Sequence, residues 1–538
     1  MRHGGQILVD QLEIQGVDRV FCVPGESYLA ALDGLFDSKI ETIIGRQEGG
    51  VAMMAEAHGK LTGRPGVAFV TRGPGATNAS AGVHIALQDS TPMVLFIGQV
   101  ATDQRDREAF QEVDYRQMFT PLVKWVAEID RTDRIPEYIS HAFHVAMSGR
   151  PGPVVLALPE DILSSMADVA DSTPANPARQ TVSQNAVAEV IDRLKVARNP
   201  MVIVGGGGWS DQAAKDLGSF AAALGLPVGT SFRCQDYIDN RHPNYVGDVG
   251  IAPNPELATL VAKSDCILVL GARLGEMTSG GYELFDTPNP RQKIIHIHAD
   301  PNEIGRVYRP EIGLACQSAE FLSTAIDLTA GQSAAPPAAP RAAYERWQQP
   351  FQTPGAVKME QVITHASEVL PHDAIITNGA GNYAGWQHRY YCYKSYRTQL
   401  APTSGSMGYG LPAAVAAKLA NPSKEVICFA GDGCFQMTMQ EFGTAAQYGA
   451  KVIVIVVNNG VYGTIRMHQQ RSYPERPSGT TLQNPDFAGL AQCYGGYGEH
   501  VYKTEEFPAA LARARAASTS AIIELHTDPS AVSPRTAG

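Results

Sequence analysis

The chain has 538 residues, of which 44% are hydrophobic and 18% charged, and a formal net charge of −11. That length allows three or four domains with a large core, and the composition is that of a soluble globular enzyme. The acidic balance, with no basic patch, argues against nucleic-acid binding, and no apolar run reaches the roughly 18 residues of a membrane span.

In chain order, MRHGGQILVDQLEIQG reads as an amphipathic helix and lacks the apolar stretch of a signal peptide. Residues 1–165 then alternate strands and helices. Strands are expected in RVFCVPG (19–25), TIIG (42–45), VAFVTRGPGATN (67–78, running into a Gly-rich turn) and PMVLFIG (92–98), with a helix from Glu48 to Thr62. Residues 163–183, rich in Pro, Ser and Ala, read as a linker. A second α/β block, 184–330, carries strands in PMVIVGGGG (200–208), CILVLGARLG (266–275) and KIIHIHAD (293–300). AGQSAAPPAAPRAA (330–343) reads as a plain linker before a third block, 355–530. Strand–helix alternation throughout predicts an α/β protein of three doubly wound parallel-sheet domains. The eight cysteines are scattered without a CxxC pair, which suggests reduced, buried thiols in a cytoplasmic protein.

The most informative stretch is EVICFAGDGCFQMTMQEFGTAAQYGAKVIVIVVNNGVY (425–462). Val426 to Ala430 and Lys451 to Val457 read as buried strands. Between them Met439, Phe442, Ala445, Ala446 and Gly449 recur at helical spacing, with Gly449 placed to end the helix. So short a crossover makes a βαβ unit with parallel strands. Gly431-Asp432-Gly433 and Asn458-Asn459-Gly460 therefore emerge at one sheet edge, where open α/β sheets bind ligands. A carboxylate and a carboxamide there suit a hard cation such as Mg²⁺, and the glycines let backbone amides approach phosphate oxygens.

A GDG triplet by itself marks a turn. GDG followed by an apolar strand ending in NN resembles the signature of the thiamine diphosphate (ThDP) enzymes. The resemblance implies that Asp432 and Asn459 hold Mg²⁺ by their side chains and Val461 by its backbone carbonyl, with Gly431 and Gly433 beside the cofactor's diphosphate. In the acetolactate synthase-like branch, a glutamate precedes a GxAxxAxGxxxxTGxxGV pattern, and Glu48-Gly49-Gly50-Val51-Ala52 matches that placement. Glu48 is then the carboxyl group expected to hydrogen-bond N1′ of the aminopyrimidine, a contact that lets N4′ act as the cofactor's own base. TSGSMGYGLPAAVAA (403–417) resembles the family's GxMGxxxPAA segment. This implies that the Gly405 carbonyl meets N4′ and that Met407 wedges between the cofactor's rings. Asn378 and Gly379 end a strand at a place suited to the diphosphate pocket. Gly73 to Asn78 matches a GPGATN turn, and Pro24-Gly25-Glu26 also matches, which puts Pro24, Gly25, Gly73 and Asn78 among the cofactor-binding candidates. Ala109-Phe110-Gln111-Glu112 matches the acetolactate synthases' FQE, which implies that Phe110 and Gln111 face the reacting thiazolium. The His pair of 2-oxo acid decarboxylases is absent.

These matches imply decarboxylation of a 2-oxo acid, pyruvate first, with carboligation to a second carbonyl compound. They also imply a homodimer or dimer of dimers in which Glu48 and Asp432 act from different chains. Departures cluster near the substrate. Arg72 replaces a small residue, GVYGTIRMHQQ replaces an acidic pair and a later Trp, and His468 stands as a candidate proton carrier. Lys124 reads equally as a substrate-entrance lysine or as an exposed strand-edge lysine. At 271–276 Arg273 is kept while the aspartates of flavin-containing members are lost, so FAD is an option that the sequence does not support. Alternatives share the early chemistry: an acyloin- or benzoin-type lyase, a 2-oxo acid decarboxylase, or a sulfoacetaldehyde acetyltransferase-like enzyme with Arg72 and Arg466 as anion anchors. From other classes come a silent ThDP-binding regulatory protein, which would not need Glu48, and a nicotinamide dehydrogenase built on the glycines at 205–208. Those glycines lack GxGxxG spacing.

Overall fold

In the computed structural model, which describes residues 1–535, short Val- and Ile-rich strands build three six-stranded sheets, each wholly parallel. Their strands are apolar on both faces because crossover helices cover both sides. The fold is three doubly wound α/β domains, as the alternation predicts.

In the first sheet, Arg19–Cys22 has Glu41–Ile44 on one side and Gly66–Val70 on the other, and Met93–Gln99, Pro153–Pro159 and Trp125–Glu128 follow. In the second, Pro200–Val204 stands between Val228–Thr230 and Cys266–Leu270. In the third, Ile375–Asn378 stands between Gln399–Leu400 and Val426–Gly431, and Ile453–Asn458, Ala521–His526 and Tyr497–Val501 complete the sheet. In all three the chain lays down its first strand, builds outward on one side, then returns to the other. The reversal opens a crevice beyond the strands' carboxyl ends. Residues 23–26 and 71–73 flank it in the first sheet, 205–208 and 271–275 in the second, and 379–382 and 431–433 in the third.

One hydrophobic core runs through the first and third domains, with Val51, Ala52 and Ala55 of Glu48–Thr62 and Ala413, Ala416 and Ala417 of Gly410–Ala420 in the same cluster. Small side chains allow those two helices to pack closely. The loop before Glu48 is tied to the third domain as well, because the buried Glu441 carboxylate accepts from the backbone N–H of Arg46 and of Gln47, each at 3.1 Å.

Several local expectations are corrected. GPGATN is not a turn: Gly73 caps and Pro74 opens the helix Pro74–Asp89, where proline's fixed φ suits the first position. The 425–462 crossover helix is split into Asp432–Phe435 and Glu441–Gln447, and the following strand is Ile453–Asn458. Within 330–343 a helix, Ala338–Trp347, begins; Tyr344 is buried and Arg341 donates to the carbonyls of Asn240, His242 and Tyr245. Tertiary contact there overrides a Pro/Ala-rich composition. In 163–183, Met166–Ala167 pairs antiparallel with Arg2–His3. All eight cysteines are free thiols and six are buried, but Cys493 is exposed. Among the described residues no helix is long and apolar enough to cross a membrane.

Candidate cofactor site

The third domain contributes one cluster. Asp432 begins its one-turn helix just beyond Val426–Gly431 and is buried. Its Oδ1 accepts from Gly433 N at 2.8 Å, and its Oδ2 accepts from Gly460 N and from Asn484 Nδ2, both at 2.8 Å. The two loops expected to meet at this edge do meet. Burial pushes the Asp432 carboxyl above its ordinary range, and its neighbours oppose that shift only with uncharged hydrogen-bond donors. Asn459 closes a turn, its Oδ1 accepting from Val461 N at 3.1 Å. The Asp432 carboxylate, the Asn459 amide oxygen and the Val461 carbonyl are all oxygen donors, the kind a hard divalent cation takes.

Around this cluster the backbone packs too tightly for side chains. A Cβ on Gly433 would stand 2.5 Å from the Tyr462 ring, and one on Gly379 would stand 2.4 Å from Cys434 Sγ. The turn holding Gly405 and Met407 lies over the same cysteine, with Gly408 N donating to Cys434 Sγ at 3.2 Å. Gly405 has φ +69°, exposed in the turn, and Met407 packs half-buried on the core of the third sheet. Asn378 is spent on the framework: its Oδ1 accepts from Gln387 Nε2 at 3.0 Å and its Nδ2 donates to Gly379 O at 2.8 Å.

The first domain contributes a second cluster. Glu48 occupies the first turn of its helix, half-buried, and its Oε2 accepts from Asn78 Nδ2 at 3.0 Å. Gly25 lies against Thr71, where a Cβ would meet the Thr71 Cβ at 2.5 Å, and Pro24 beside it is exposed. Gly73 donates its N–H to Tyr115 Oη at 2.8 Å. Gln111, in the left-handed region at φ +64°, folds over Gly73, and its Oε1 is buried without a hydrogen-bond partner. An unsatisfied buried acceptor at a crevice mouth is the kind of atom a ligand completes. Phe110 beside it is 73% exposed.

Within one chain these are two separate clusters. Among the described residues no hydrogen bond or ion pair joins Glu48 to Asp432. Arg72 pairs with Glu160 and donates to Phe110 O, so it is not a free anion anchor, whereas the Arg466 side chain, among the described residues, donates only to the hydroxyls of Thr480 and Thr481. Exposed His468 is bonded to Arg471, and Lys124 donates to the carbonyls of Val145 and Ser148. A cavity of about 1110 Å³ lies between the domains, lined by Gly206, Asp236, Arg273 and Lys60. Of the candidate residues it touches only Gly405. Arg273 there is turned to Gln88. Sequence reasoning missed Asn484, which bridges Asp432 and Asn458, and Glu441, which holds the loop before Glu48. Asn484 lies far from GDG in an irregular segment, and no spacing marks it.

Three doubly wound domains with these two glycine-lined clusters define a thiamine diphosphate-dependent enzyme. The chain matches the thiamine pyrophosphate enzyme N-terminal TPP-binding domain over residues 2–118, the central domain over 187–324, and the C-terminal TPP-binding domain over 379–525. It is 31% identical to the acetolactate synthase isozyme 2 large subunit of Escherichia coli over 523 residues, 95% of this chain and 92% of that protein. It is 32% identical to the acetolactate synthase large subunit of Corynebacterium glutamicum, covering 95% of this chain and 84% of the relative. The chain belongs to the acetolactate synthase-like family of these enzymes.

Proposed function

We propose that the protein decarboxylates a 2-oxo acid, pyruvate first, and joins the retained two-carbon unit to a second carbonyl compound, with 2-acetolactate as the product from pyruvate alone. The observation that carries this reading is the pairing of Glu48, at a helix start beside Asn78, with the unpartnered Gln111 Oε1 over Gly73. Names of relatives that cover nearly the whole chain support it.

When bound, ThDP supplies the nucleophilic carbon and the electron sink that loss of CO₂ requires. Glu48 would hold a proton at N1′ of the aminopyrimidine. Asp432, Asn459 and the Val461 carbonyl would hold Mg²⁺, with amides around Gly379, Gly431 and Gly433 toward the diphosphate. Pro24, Gly25, Gly73 and Asn78 would line the pyrimidine end, and Gly405 and Met407 would bend the cofactor. Gln111 would donate from Nε2 to the acceptor carbonyl, with Phe110 as an apolar wall. We take 1–165, 184–330 and 355–530 as the domains, a cytoplasmic location, and a homodimer or dimer of dimers as the working unit. FAD is left out, because 271–276 lacks the aspartates and Arg273 is turned to Gln88. Arg72, paired with Glu160, would not be free to hold a sulfonate, whereas the Arg466 side chain, among the described residues, is bonded only to threonine hydroxyls.

The test is purified protein with Mg²⁺ and ThDP given pyruvate alone, following CO₂ and identifying the carbon product. Acetolactate is expected. Acetaldehyde would replace the carboligase reading with a decarboxylase, and no turnover would remove pyruvate as donor.

A further inference from the structure

Two histidines and a glutamate meet on the edge of the third sheet, apart from the Asp432 cluster. His500 lies on Tyr497–Val501 directly across from Glu524 on Ala521–His526, and His526 follows Glu524 by two positions, on the same sheet face. Register alone therefore brings one ligand atom from each side chain within 4.8 Å of the others. His500 Nδ1 is 3.2 Å from His526 Nε2 and 3.4 Å from a Glu524 oxygen, and His526 Nε2 is 3.6 Å from the other. A tetrahedral ion with ligand bonds of about 2.0–2.1 Å needs its ligands roughly 3.3–3.4 Å apart; the two ring nitrogens are near that spacing, and the carboxylate presents one oxygen to each ring.

The surroundings hold the three ligands in place. Asp486 Oδ1 lies 3.2 Å from the far ring nitrogen of His500. A carboxylate in that position fixes the tautomer that presents Nδ1 as a lone pair. Tyr502 stacks on the His526 ring at 4.3 Å and 9°. Buried Glu524 is oriented by Phe487 N at 3.0 Å and Asn458 Nδ2 at 2.7 Å. The histidine side chains are about one-third exposed, which leaves a route for an ion and room for a water as fourth ligand.

We propose that His500, His526 and Glu524 form a binding site for a first-row transition cation of the Zn²⁺ type, distinct from the all-oxygen set at Asp432. Imidazole favours such ions over Mg²⁺, so excess Mg²⁺ does not compete here. The carboxylate also links the site inward, through Asn458 and Asn484, to Asp432.

The test titrates the full, untagged chain with Zn²⁺ in excess Mg²⁺, by calorimetry and by competition with a chromophoric chelator, alongside His500→Gln and His526→Gln. One Zn²⁺ per chain is expected, weakened at least 10-fold in each variant while the metal-free melting temperature is unchanged. Co²⁺ on the unaltered chain should give the intense visible spectrum of a tetrahedral site. Absence of that spectrum, or variants that bind Zn²⁺ as the unaltered chain does, would overturn the proposal.

Discussion

Glu48 and Asp432 are both carboxylates near sheet edges, yet their surroundings assign them different work. Glu48 is half-buried at a helix start, where the dipole favours an anion, and it touches a single amide, Asn78. Asp432 is buried and takes three N–H donors, which leaves it acting only as an acceptor. Glu48→Gln keeps the size of the side chain and removes its charge. We expect turnover to fall by about 10²-fold or more, the scale of a lost proton-transfer partner. ThDP affinity, titrated by quenching of intrinsic fluorescence, should change little if the diphosphate is held by the Asp432 cluster as proposed. Undiminished turnover in this variant would remove Glu48 from the mechanism.

The short strand Gln399–Leu400 is held by the central domain as well as by its own ladder. Gln235 N donates to Gln399 Oε1 at 2.8 Å, and one Asp236 oxygen accepts from Thr398 N at 2.9 Å and Gln399 N at 3.1 Å. Burial raises the Asp236 carboxyl from 3.8 to about 6, more than its backbone hydrogen bonds lower it. A carboxyl that binds its proton more tightly when folded adds stability below its unfolded pKa and loses it as pH rises through about 6. Asp236→Asn retains an acceptor oxygen without that titration. The stability difference between the two proteins, from denaturant unfolding at several pH values, should shift in favour of the variant between about pH 4 and 6. The total shift should be about 2 kcal/mol, and a flat difference would show that burial does not control this carboxyl.

At the scale of the molecule, although their domains share one core, the Glu48 and Asp432 clusters share no hydrogen bond or ion pair among the described residues. If they close across a dimer, two inactive variants should complement one another. Glu48→Gln and Asp432→Ala, mixed after dissociation and reassociation, would give heterodimers in which one of two sites carries both native residues. Statistical mixing should restore about a quarter of native activity, read as acetolactate formed, whereas a site built within one chain would recover none.

The parallel fold was legible because period and composition decide it. Apolar runs such as 426–431 and 453–458, separated by helical spacing, permit little except βαβ units. The motif positions were legible for a related reason: Gly433 and Gly379 lie where any side chain would collide, so their identity reports local geometry. Other features depend on residues distant in sequence. Asn484 on Asp432, Glu441 beneath Arg46 and Gln47, and the His500–Glu524–His526 cluster arise only when strands and loops are set beside one another. GPGATN and the 330–343 segment were misread for the converse reason, since turn-like composition gave way to a proline-opened helix and to burial of Tyr344. Local sequence by itself determined which elements form and which of their ends carry glycine and acid. Only the tertiary structure decided which polar groups meet there, because a hydrogen bond constrains both partners in space and leaves no period in the chain.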